Sequence, residues 1–94
     1  MSVYGTPNAR FNAVRTAVDY AVLASDDLVV FTVTGKTATL PASPAIGNVV
    51  LVKCNVGTTT IDGNGKNIDG AATLGLIAAE CAQIVYDGTE WVVT

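Results

Sequence analysis

Two turns in this 94-residue chain carry residue types that could do chemistry. Gly35-Lys36-Thr37 matches the end of a phosphate-binding loop, where backbone amides and a lysine hold phosphate oxygens. That pattern needs a glycine five residues earlier, and Val30 stands there. It also needs a following helix, which Thr37-Ala38-Thr39-Leu40-Pro41 cannot supply because proline breaks it. A hairpin turn with an exposed lysine accounts for these residues. Asp62-Gly63-Asn64-Gly65-Lys66-Asn67 has the oxygen-rich look of a calcium loop. An EF-hand wants glycine at its sixth place and glutamate at its twelfth; here they are Asn67 and Thr73. Turn chemistry explains the stretch without a metal, leaving room for at most a weak surface ion near Asp62.

Nucleophilic catalysis has little to work with. There is no histidine, the usual base of a serine triad. Paired carboxylates could cleave a sugar, but Asp26 and Asp27 are adjacent and would face opposite sides of a strand. Asp62, Asp69 and Asp87 each precede a glycine, where aspartate is a routine turn residue. The reading is therefore not an enzyme, with no cofactor. Cys54 and Cys81 have no Cys-x-x-Cys spacing, and a zinc site usually takes four Cys or His ligands. Both lie in apolar strand patterns and read as small buried hydrophobes; whether they pair is open. Trp91 and Tyr86 flank Asp87-Gly88-Thr89, so they can meet across a hairpin in the core or at an interface.

The elements that position these residues are short strands. Half the residues are hydrophobic and 14% are charged, against about 25% charged in an ordinary domain. A chain this short makes one domain and buries only about 60–65% of its surface. The apolar surplus predicts burial between subunits. Residues 1–18 hold Arg10 and Arg15 and no acid; residues 19–94 hold three lysines and all eight acids. Such a chain lacks the clustered basic residues of a nucleic-acid binder. No run approaches the ~20 apolar residues of a membrane helix, and Met1-Ser2-Val3-Tyr4 does not open like a signal peptide.

Residues 1–17 read as an N-terminal arm. Phe11, Val14 and Val18 have helical spacing, but the segment is too short to hold a helix alone. From residue 18 the pattern is β, and 18–94 forms a single domain. Strands are expected at Val18–Ala24, Leu28–Thr34, Thr37–Leu40, Asn48–Asn55, Val56–Ile61, Asn67–Asp69, Glu80–Tyr86 and Glu90–Thr94. Ala71–Ala79 is ambiguous, because its alanines and leucines favour helix while Gly75 interrupts them; with β on both sides it reads as mostly strand or loop. Pro41 and Pro44 make 41–48 a loop. Asn48–Asn55 is apolar without alternation, as a strand buried on both faces would be. The expected fold is all-β, a small antiparallel sandwich or barrel. The Ile-Asp-Gly steps at 61 and 68 are too few to define a solenoid.

Taken in order, certain residues resemble a known family. They are Tyr20-Ala21-Val22-Leu23-Ala24-x-Asp26-Asp27, Ala38-Thr39-Leu40-Pro41-x-x-Pro44-x-x-Gly47, Lys53 in an apolar strand, Ile68-Asp69-Gly70, and Tyr86-Asp87-Gly88-Thr89-x-Trp91. Residues 18–94 look like a small β-module of tailed-phage virion proteins, found in capsid decoration (cement) proteins and in tail fibres and spikes. The resemblance implies a structural, trimeric module without catalytic residues. A copy that starts at Met1 and ends with the module fits decoration better than a fibre. The expected partners are two further copies of the chain and the major capsid protein. Neither nucleic acid nor membrane is expected as a partner. The expected place is the capsid surface of a virion assembled in a host cytoplasm. Arg10, Phe11 and Arg15 are the expected capsid contacts; Val50, Val52 and Trp91 are the expected subunit interface.

Overall fold

The structure, a computed structural model, describes residues 11–94; Arg10 lies outside them. Nine strands form two sheets, with no helix among the described residues. They are β1 (Ala13–Thr16), β2 (Tyr20–Ala21), β3 (Leu28–Phe31), β4 (Lys36–Thr39), β5 (Val49–Cys54), β6 (Thr58–Asp62), β7 (Thr73–Ile77), β8 (Cys81–Tyr86) and β9 (Trp91–Val93). The first sheet runs β1-β3-β5-β8-β9 and the second β2-β4-β6-β7. The all-β fold expected from the sequence is what the chain adopts.

The sheets are mixed, which corrects the antiparallel expectation. Through β6 the chain alternates between sheets, so each strand stacks in parallel on the strand two before it. Three coils result: β1–β2, β3–β4 and β5–β6. The turn at Gly35-Lys36 moves the chain from one sheet to the other and closes no hairpin. Only β7, β8 and β9 pair antiparallel, on β6, β5 and β8. Two further readings differ. Ala13–Thr16, read as arm, pairs with β3 as an edge strand. Asn67–Asp69 is no strand; Ile68 makes single bridges to Ala71 and Trp91. The Ala71–Ala79 stretch, read as mostly strand or loop, contains β7.

The core lies between the sheets. Val29, Phe31, Val52, Cys54, Ile61, Ile84 and Trp91 are fully shielded from solvent. Strand β5 alternates, with Val50, Val52 and Cys54 inward and Val49, Leu51 and Lys53 outward. Val50, Val52 and Trp91 therefore belong to the interior of a single chain, and the subunit-interface assignment is wrong for them. An apolar run cannot reveal which alternate residues face in; a shift of one exchanges the two sets.

Tyr86 and Trp91 stand directly opposite each other. Their ring centroids are 5.4 Å apart at 55°, a tilted cross-strand pair contributing roughly 0.5–1.5 kcal/mol beyond area burial.

Candidate functional site

The carboxylates were the natural candidates for chemistry, and each of the eight accepts a backbone N–H. Asp19 takes Thr37 N, Asp26 takes Leu23 N, Asp27 takes Asn12 N and Asp62 takes Asn64 N. Asp69 takes Val93 N, Glu80 takes Ile77 N and Glu90 takes Gly70 N. Asp87 takes both Thr89 N and Glu90 N. Those bonds, Glu90's first, hold the Asp87 carboxyl below the ordinary carboxylate value. Asp26 is buried and also accepts the Tyr20 hydroxyl at 2.8 Å. That hydrogen bond, then burial, raises the Tyr20 phenol above its usual value. The acids thus fix turns and corners. The sequence located the Asp-Gly turns but could not show the longer-range bonds from Asp19, Asp27, Asp69 and Glu90.

The cysteines separate. Cys54 is buried and Cys81 exposed, and both are free thiols. Cys81 was expected to be buried; it pairs in register with Lys53, on the outward side of β8. Shallow depressions among the described residues include these two. One of about 360 Å³ is polar, lined by Gly65, Lys66, Asn67, Thr89 and Glu90. The other, about 440 Å³, lies between the β7 and β9 edges and includes Leu74, Leu76, Ala82 and Val93.

The most distinctive surface is the outer face of the first sheet. Register places Ala13, Leu28, Leu51 and Gln83 in one row, and Arg15, Val30, Lys53 and Cys81 in the next. Val49, Val85 and Val92 form a third. Six of these are half-exposed or exposed aliphatics: Leu28, Val30, Val49, Leu51, Val85 and Val92. Large contiguous apolar patches on a protein surface mark interaction sites. Arg15 and Lys53 are the face's charged residues among those described, and Lys53 Nζ donates to Ala79 O at 2.7 Å. Of the expected capsid contacts, Arg15 lies on this face and Phe11, 43% exposed, lies just before β1.

The two ends of the sandwich differ. At the upper end, the three corners after β1, β3 and β5 each expose a valine. Val18, Val33 and Val56 follow the stacked Thr16, Phe31 and Cys54 by two residues, and all three are exposed. The lower end is formed by loops 22–27, 40–48, 63–72 and 87–90 and carries Asp27, Lys66, Asp69, Asp87 and Glu90 as well as the exposed Leu23 and Ile46.

No protein-family model matches the chain, and no curated protein does. A chain in a solved chaperone–substrate complex is similar in fold, with a TM-score of 0.62 and 10% identity over 88% of this chain. The aligned region is 16% of that other chain. At such identity the likeness is one of fold, and it shows the sandwich occurring within a longer polypeptide.

Proposed function

We propose that this is a virion structural protein, a phage capsid decoration (cement) protein that binds and stabilises the head as a homotrimer. It has no catalytic role, and its partners are its own copies and the major capsid protein. The observation that carries the reading is the aliphatic outer face of the first sheet, together with the order of motifs from Tyr20 to Trp91. A monomer that leaves such a face open gains by covering it, and a cement protein must cover junctions between other proteins. The carboxylates, engaged with backbone N–H groups, support a role for the chain as scaffold.

Co-sedimentation tests the reading. Purified protein mixed with phage heads and, separately, with host cells should pellet with heads and not with cells. Protein lacking residues 1–10 should stay folded and lose head binding; full binding without them would remove the arm from the account. The truncation stops at residue 10 because Ala13–Thr16 belongs to the first sheet.

A second reading, a receptor- or glycan-binding module of a tail fibre or spike, is favoured by one observation: the similar fold lies within a much longer chain. Pelleting with cells and not heads would establish it.

A further inference from the structure

We infer that Asn64 is a site of covalent modification, its side-chain amide being converted to a carboxylate through attack by the Gly65 backbone nitrogen, and that the fold restrains the reaction. The turn at 62–66 has the oxygens of an ion loop, but its reactive step is Asn64-Gly65. In that step the Gly65 nitrogen bonds to Asn64 Cγ and gives up its proton. The Cγ–Nδ2 bond breaks and ammonia leaves. Water then opens the five-membered imide at one of its two carbonyls. One product is aspartate at position 64. The other is isoaspartate, which routes the main chain through the side chain. A side chain on the following residue obstructs the approach, and glycine has none. Asn8, Asn12, Asn48, Asn55 and Asn67 all precede alanine, valine or isoleucine. Asn64 and Gly65 are both exposed to the water that the second step consumes.

The folded turn engages the same amide elsewhere. Asn64 Nδ2 donates to Leu40 O at 3.0 Å, and Asn64 N donates to Asp62 Oδ1 at 2.8 Å. Asn64 sits in the left-handed region, with φ of 54°. The turn is tight: a Cβ on Gly63 would collide with Lys66 O, and Lys66 N donates to Gly63 O. Closing the imide ring requires the side chain to leave Leu40 O and swing onto Gly65 N. The reaction therefore waits for local opening of the turn, which costs free energy. It is also one-way. A carboxylate accepts hydrogen bonds and cannot donate to Leu40 O, and it adds a second negative charge to a turn that already holds Asp62. Modification thus cuts the tie between this turn and Leu40, a residue of the core.

Ageing of the full chain at mildly alkaline pH tests this, once folded and once in urea, with peptide mass spectrometry and isoaspartate detection. In urea, Asn64 should convert before any other asparagine. In the folded protein its conversion should be at least about tenfold slower. The variant Asn64→Asp should raise the unfolding constant about fivefold to tenfold at neutral pH, the worth of one hydrogen bond. Relative to wild type, that deficit should shrink below about pH 4, where the protonated side chain regains a donor. If the variant does not fold, the ageing series on the unmodified chain decides. Earlier conversion of another asparagine in urea, equal rates in the two states, or a variant whose deficit is absent or unchanged in acid overturns the inference.

Discussion

Asp87 shows how single residues in this chain do structural work that could be mistaken for chemistry. Its carboxylate gathers two N–H groups of the 87–90 turn, and the turn sets Tyr86 opposite Trp91. The motif was legible from the sequence because Asp-Gly is a local signal. A carboxyl held below its unfolded value contributes stability that is present above the unfolded pKa, near the ordinary 3.8. That contribution is lost as pH falls through the lower, folded value. Asp87→Asn retains an acceptor oxygen and removes the titration. Acid titrations of unfolding midpoint for the two proteins should therefore converge below about pH 4, with wild type the more stable above it. Parallel curves through that range would show that Asp87 does not contribute to acid lability.

At the scale of elements, most strands were legible, β1 and the strand wrongly expected at Asn67–Asp69 apart, and strand parity was not. Leu28–Thr34, Asn48–Asn55 and Glu80–Tyr86 were read close to β3, β5 and β8 because β-branched runs between turn residues are local signals. The direction in which β5 faces depends on what packs against it. Val50 and Val52 look no different from Val49 and Leu51 until the second sheet is in place. The interface residues chosen from the apolar run fell on the wrong side for that reason. The paired substitutions Val52→Asp and Leu51→Asp separate the two faces. Val52 is fully buried, and an unpaired charge there should cost about 3–5 kcal/mol. Leu51 is outward, so aspartate there should change monomer stability by no more than about 1 kcal/mol while weakening self-association. Urea unfolding measures the first effect and sedimentation the second. Equal losses of stability would mean that both faces are core.

At the scale of the molecule, the stacked coils were hidden because they have no fixed period. Ala13 stacks on Leu28 and Leu28 on Leu51, offsets of 15 and 23 residues. The longer coil contains the 41–48 loop with Pro41 and Pro44, so self-similarity at one spacing never develops. Corner turns that change sheets also look, in sequence, like turns that close hairpins. The antiparallel strands β7–β9 then complete both sheets around the same core. Phe31 and Val52 from the coils and Ile84 and Trp91 from the closing strands belong to one buried cluster. Neither part can retain its inner face without the other. Unfolding should therefore be one cooperative transition, as for most single domains of this size. Trp91 fluorescence reports on the closing strands, and far-UV circular dichroism reports mainly on the whole set of strands. Their urea curves should superimpose. A fluorescence transition that precedes the loss of β signal would mean that the coils 13–62 stand without the strands that close them.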